Sequence, residues 1–283
     1  MIWELRHEYK IGLLIDIAKI PRSTYYYYSK QLDSPKPDKY AEIKAEIRIV
    51  YDESKGRYGY RRITKELKKK FVINHKTVQR LMRKLGIFCR VRMRKYNSYK
   101  GDVGKIAPNL LERDFKADKP NQKWVTDVTE FALFGIKLYL SPIIDLYNGE
   151  VVSYNLSRHP NLPQTTDMLE KAFAKIPDNT NLILHSDQGW QYQHATYQSE
   201  LQKHGVVQSM SRKGNCYDNC IMETFFGRLK NEMFYGFEKE YTSFESFAAA
   251  MDEYIDYYNN RRIQAKTKWM PPSKFREASM LVG

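Results

Sequence analysis

At 283 residues, 42% hydrophobic and 14% aromatic, the chain is long enough for about two domains with cores of their own and too apolar for a disordered tail. Forty-seven Lys and Arg against 33 Asp and Glu leave +14, and the excess is one-sided: residues 1–100 hold 26 basic and 10 acidic side chains, net +16, leaving 21 and 23, net −2, for residues 101–283. No apolar stretch reaches the roughly 18 residues of a membrane span, the N-terminus is no signal peptide, and Cys89, Cys216 and Cys220 form neither a disulfide scaffold nor a zinc module, so a cytoplasmic protein with reduced thiols and no membrane partner is expected.

Residues 2–20 read as helical on Leu13, Leu14 and Ile17, and Pro21 to Thr24 followed by Tyr25 to Tyr28 read as a second small helical element, suited either to nucleic acid or to packing. Ser34-Pro35-Lys36-Pro37 is a linker signal that closes an N-terminal helical segment, 1–38. A helix over 41–54 leads to Gly56-Arg57-Tyr58-Gly59. The next helix begins at Tyr60 and repeats Ile63 and Leu67 at i, i+4. Asn74 is a good N-cap for a helix closed by Gly86, whose apolar set Val78, Leu81, Met82 and Leu85 leaves Lys76, Thr77, Gln79, Arg80 and Arg83 on the other surface.

One packed face and one basic face is the pattern of a helix-turn-helix recognition helix, and those five side chains are the expected DNA contacts. Residues 61–100 carry 15 basic side chains and one acid, Glu66, a density that calls for a polyanion. Arg90, Arg92 and Arg94 alternate without a helical stripe and read as an extended arm on a phosphate backbone, or as a linker. The DNA-binding domain is therefore bounded at 39–100, with a linker at 101–118.

From 119 to 283 the composition turns to β-branched and aromatic runs. Strands at 124–131, 137–145 and 150–154, separated by Gly135 and Tyr147-Asn148-Gly149, form an antiparallel meander. A helix at about 163–175, a strand at 182–184, a helix at about 193–204 and a strand at 206–208 complete an α/β sheet. Asp127 interrupts an apolar strand, which is costly unless the carboxylate is paired or ligates a metal. Asp187 sits where strand 182–184 ends, the end at which α/β sheets gather their sites. Glu223 lies 35 residues beyond Asp187 (223 − 187 − 1) in a helix from about 218 to 235, with Gly227 and Lys230 on its face at i+4 and i+7. Asp218 is read as the cap of that helix, Glu130 and Asp145 as carboxylates without a motif, His185 as a packed or supporting residue, and Trp190 and Tyr192 as core or as stacking platforms for a frayed base.

This spacing of Asp127, Asp187 and Glu223 resembles the D,D(35)E signature of retroviral integrases and related insertion-sequence transposases. The blocks Lys123–Thr129, His185–Gly189, Tyr217–Phe226, Tyr257–Arg262 and Pro271–Phe275 resemble the second-reading-frame transposases of the frameshifting insertion-sequence family, over nearly the whole chain. The resemblance implies a ribonuclease-H-like (integrase core) catalytic domain preceded by the all-α helix-turn-helix region. It implies DNA transposition, with cleavage at the element's ends and strand transfer by a 3′-hydroxyl.

It further implies two Mg²⁺, replaceable by Mn²⁺, with Asp127 bridging both ions, Asp187 on one and Glu223 on the other. Lys230 would contact the element's terminal DNA. Double-stranded DNA, a homo-oligomer on it, a bacterial nucleoid location and a fusion with the upstream first-frame product complete the expectation. The alternative kept open is a helix-turn-helix regulator with an inactive C-terminal module. A rolling-circle relaxase lacks its His-x-His pair among the six histidines, and no Arg-His-Arg-Tyr set supports a tyrosine recombinase.

Overall fold

The computed structural model describes residues 2–33, 38–90, 105–133, 135–177, 180–212 and 215–281, and the chain divides into two compact units, Met1–Cys89 and Arg90–Gly283. The first is all helical: α1 (Ile2–Leu5), α2 (Ile11–Ala18), α3 (Arg22–Asp33), α4 (Ala41–Glu53), α5 (Tyr60–Leu67) and α6 (His75–Lys84). The single helix expected over 2–20 is two, and the residue of α2 that is buried is Ile15, not Leu13 or Ile17, which stay exposed. Tyr25 is buried while Tyr26, Tyr27 and Tyr28 are exposed.

The periodicity over α4 to α6 translates into one core. Ile47 and Val50 of α4, Ile63 and Leu67 of α5, and Val78, Leu81 and Met82 of α6 are all buried. Helix α6 starts where the Asn74 side chain accepts the Lys76 N–H at 2.9 Å. It ends where Gly86, at φ +67°, turns the chain so that Ile87 N–H reaches back to the Met82 carbonyl at 2.9 Å.

The second unit carries a six-stranded mixed sheet: β1 (Lys123–Thr126), β2 (Thr129–Leu133), β3 (Ile136–Asp145), β4 (Val151–Ser157), β5 (Ile183–Ser186) and β6 (Val207–Met210). β2, β3 and β4 form the expected antiparallel meander, with Gly149 at φ +77° in the turn before β4. β1 pairs antiparallel with β3 and parallel with β5, and β6 lies parallel beyond β5. The helices are α7 (Leu162–Phe173), α8 (Trp190–Gln193), α9 (Ala195–Lys203), α10 (Cys220–Leu229), α11 (Phe244–Asn260) and α12 (Pro272–Met280). Among the described residues no helix is long and apolar enough to cross a membrane.

Strand alternation divides the core. Trp124 of β1 and Leu184 of β5 pack with Met168 and Leu169 of α7 and Tyr197 and Leu201 of α9, and Val128 packs against the same cluster. Phe131 instead meets Phe234 and Phe247 at 5.0 and 5.2 Å between ring centroids. Trp124 and Val128 therefore look towards α7 and α9, and Phe131 towards α11 and the turn that follows α10.

The helix expected over 218–235 is not continuous. A 3₁₀ turn (Cys216–Asn219) precedes α10, and a π-turn (Lys230–Phe234) follows it. That turn buries Glu232, whose carboxylate accepts from Arg262 Nη2 at 2.6 Å and Nε at 3.0 Å and from Tyr254 Oη at 3.2 Å. Both ions of the pair are nearly inaccessible. Arg262→Met strips Glu232 of its counter-charge and is expected to cost about 3–5 kcal/mol in urea denaturation, whereas Glu232→Leu with Arg262→Met should recover most of it. Equal losses in the single and double variants would contradict this account.

Candidate active site

β1 and β2 are one strand with a break in it. Thr126 faces Ile143 of β3 and Thr129 faces Leu140, three steps on along each strand, so the register runs through unshifted. Asp127 and Val128 leave the ladder, and the Val128 N–H is taken by Asp127 Oδ1 at 2.7 Å. The parallel register that pairs Lys123 with Ile183 and Val125 with His185 runs on to set Asp127 beside Asp187, just past the ends of β1 and β5. Asp187 Oδ1 accepts the Gly189 N–H at 2.9 Å, the turn that starts α8. Helix α10 packs against β1 and carries Glu223 in its first turn.

All three acids are half-buried, and among the described residues none pairs with a cation. Burial pushes the Asp127 carboxyl well above the ordinary carboxylate range, and repulsion from Asp187 and then Glu223 pushes it further. Burial also raises Asp187 and Glu223. Asp127 is the member that feels both others. Among the described residues no three His, Cys, Asp or Glu side chains converge as a closed single-ion site would. The donor set is three carboxylates, hard oxygen ligands of the kind a divalent cation takes. Mg²⁺ suits it, because this ion takes one or two carboxylates and completes its octahedron with water and phosphate oxygens.

His185, two residues before Asp187, is fully buried. Its Nε2–H donates to the Asp218 carbonyl at 3.0 Å, which leaves Nδ1 to accept from the Ser209 hydroxyl at 2.8 Å. It is thus a neutral bolt between β5, β6 and the turn before α10.

The integrase core domain family matches residues 117–216 and again 223–280, and an HTH-like domain family matches 38–96. The InsK protein of insertion sequence element IS150 in Escherichia coli K12 is 51% identical over 98% of this chain and 97% of its own length. The transposase InsF for insertion sequence IS3A, from the same organism, is 32% identical over 96% of each. The chain belongs to the insertion-sequence transposases. Among solved structures, the HTLV-2 integrase catalytic core domain in complex with magnesium aligns with a TM-score of 0.47 at 16% identity, over 56% of this chain and 98% of that one.

In this transposase the other expected site residues divide. Lys76, Gln79, Arg80 and Arg83 are exposed on α6 and Thr77 is partly so, with Arg80 lying 5.6 Å from the Tyr40 ring. Arg90 is exposed, while Arg92 and Arg94 lie outside the described residues, as do 101–104 of the expected linker. Residues 105–118 do not run free: Leu111 is buried, Leu110 N–H donates to Ser209 Oγ at 2.9 Å, and Met210 N–H donates to the Pro108 carbonyl at 3.2 Å.

Lys230 is buried. It donates to the Glu130 carbonyl at 2.7 Å and lies 5.0 Å from the Phe131 ring, and burial lowers its pKa to about 8. A Cβ at Gly227 would meet nothing within 4 Å, so the space beside α10 is open. Tyr192 is core, edge-on to Tyr197, whereas Trp190 is exposed. Asp218 is not a helix cap; its carboxylate is buried among arginines.

Sequence reading missed Asn219. It precedes Glu223 by one turn and is 5% exposed, and neither its amide nitrogen nor its oxygen finds a partner among the described residues. No pattern flags such a residue, because only the fold buries it.

Burial pushes the His185 pKa down to about 4, whereas in the unfolded chain the ring protonates near 6.5. Between these values the unfolded state binds the extra proton, so stability is full above pH 6.5 and is lost as pH falls, by about 3 kcal/mol at pH 4. Urea midpoints measured across this range should fall accordingly, and His185→Asn should flatten that part of the profile. A slope untouched by the substitution would assign it to other groups.

Proposed function

We propose that this chain is a DNA transposase whose Asp127, Asp187 and Glu223 hold two divalent cations, Mg²⁺ or Mn²⁺, for cleavage at insertion-sequence ends and for strand transfer. The observation that carries the reading is that the strand register sets Asp127 beside Asp187, that Asp127 is repelled by both Asp187 and Glu223, and that among the described residues no cation pairs with the three. Bound there, the metals would supply an activated water or 3′-hydroxyl and charge neutralisation at the scissile phosphate.

The chain's own part is to fix the oxygens. Asp127 is oriented by the Val128 N–H and Asp187 by the Gly189 N–H, so their carboxylates need little reordering when a cation arrives. A 3′-hydroxyl freed at the element's end attacks a target phosphodiester in line. Its oxygen forms the new P–O bond as the target's 3′-oxygen departs with the electron pair. The exposed basic face of α6, with Arg90, Arg92 and Arg94 following, supplies DNA affinity. Lys230 reaches terminal DNA only by leaving the Glu130 carbonyl. Assembly as a homo-oligomer on DNA, and fusion to a first-frame product, belong to the same proposal.

Two experiments test it. Full-length protein and labelled DNA from the flanks of its own gene should give cleaved and joined products with Mg²⁺ and none without. Glu223→Gln should abolish both products while DNA binding persists and thermal stability rises, since one of the repelling charges is gone. Binding that is indifferent to Mg²⁺ and to Glu223→Gln, with no products at all, would mark a regulator with an inert C-terminal module.

The second concerns Asn219, assigned here to a phosphate oxygen or a metal-bound water beside Glu223. Asn219→Ala removes a buried amide with no protein partner, so the melting temperature should hold or rise while cleavage falls by about tenfold, one hydrogen bond's worth. Lost stability with cleavage intact would make Asn219 structural.

A further inference from the structure

Asp218 is 1% exposed and lies five residues ahead of Glu223. Its carboxylate accepts from the Arg212 backbone N–H at 3.1 Å, from Arg212 Nε and Nη2 at 2.8 Å each, from Arg113 Nε at 2.9 Å and from Asn109 Nδ2 at 3.1 Å. Its backbone carbonyl accepts His185 Nε2–H. Three stretches of chain therefore converge on one side chain and its peptide: the segment entering the catalytic unit, the end of β5, and the loop after β6. A carboxylate so fully engaged has no capacity left for a cation or a proton, so its function is geometric.

What it fixes is the start of α10. Asn219 at the N-cap of that helix makes no side-chain capping bond. The beginning of α10 is therefore set by the 3₁₀ turn that Asp218 anchors, and Glu223 stands one turn further on. His185 closes the circuit, because β5 carries Asp187 at its end and touches the same turn.

We propose that Asp218 is a positioning residue that sets Glu223 against Asp127 and Asp187, and that Arg113 and Asn109, which precede the integrase core match at residue 117, belong to the active-site frame. This rests on the metal-dependent reading of the three acids. Loosening the frame widens the spacing between carboxylates, so it weakens metal binding without removing a ligand. Residues that orient metal ligands in this way change metal affinity by about 10- to 100-fold when lost.

The test uses the full chain, with Mn²⁺ binding followed by the electron paramagnetic resonance signal of free Mn²⁺ and with cleavage of element-end DNA titrated against Mg²⁺. The Arg113 side chain is about half exposed, so Arg113→Ala should keep the wild-type melting temperature and DNA affinity. It should bind Mn²⁺ about tenfold more weakly and need about tenfold more Mg²⁺ for half-maximal cleavage, with the maximum recovered at saturation. Arg113→Lys should restore part of the shift, and Asp218→Asn should move both midpoints further.

Cleavage lowered at every Mg²⁺ concentration, with the midpoint and Mn²⁺ binding unmoved, overturns the proposal, as does weakened DNA binding alone, which would make Arg113 a phosphate contact. Glu223→Gln is the reference. If it binds Mn²⁺ as the wild type does, the metal reading itself fails and the positioning role falls with it; if it loses Mn²⁺ while Arg113→Ala and Asp218→Asn do not, only the positioning role falls.

Discussion

Two parallel strand ends bearing carboxylates, brought side by side in a half-buried cleft, are the constraint around which the catalytic unit is organised. Like charges in a poorly solvated place raise the free energy of the folded state, and the Asp127 carboxyl is pushed well above the ordinary carboxylate range by burial and by the two neighbouring acids. The register between β1 and β5 leaves no freedom to part them, since shifting it by one residue would turn Trp124 and Leu184 out of the core they share with α7 and α9. Hydrophobic packing on one face of the sheet thus enforces electrostatic strain on the other. A bound cation would relieve that strain.

The acids elsewhere show how differently the same chain treats a carboxylate that serves structure. Among the described residues Asp145, Asp218 and Glu232 are the acids buried below a tenth of their surface, and every one meets an arginine: Arg276, the pair Arg113 and Arg212, and Arg262. Asp127, Asp187 and Glu223 sit in less buried positions and meet none. A structural acid is neutralised by the fold; on the proposed reading these three are left for a bound cation to neutralise. This contrast separates the two groups more sharply than burial or charge alone.

The local devices of the fold were legible in the residues. Alternation located the meander, a 3.6-residue period located α5 and α6, and Asn74 and Gly86 marked the ends of α6 by chemistry that acts within a few residues. Spacing and flanking blocks singled out the acids at 127, 187 and 223 as candidates, and the strand register sets the first two side by side. What escaped was set by distant partners. The π-turn after α10 exists because Glu232 turns inward to an arginine 30 residues on, and helical arithmetic around Glu223 has no access to that. The role of Asp218 depends on Asn109 and Arg113, more than 100 residues earlier in a stretch that reads as linker. Lys230 keeps its helical phase with Glu223 yet is drawn beneath β2, whose carbonyl it satisfies.

Charge is distributed along the chain in a way that suits the proposed chemistry. On the proposed reading, three gathered carboxylates repel a phosphate backbone, so the part of the protein assigned to phosphoryl transfer is poorly suited to collecting its own substrate. The net +16 of residues 1–100 and the −2 of the remainder answer that difficulty by separating attraction from reaction. Attraction through lysines and arginines weakens steeply with salt because it works by counterion release, whereas coordination of a divalent cation by half-buried oxygens is screened far less. On the proposed reading the two steps therefore respond to different variables: ionic strength governs whether DNA is held, and divalent metal governs whether it is cut.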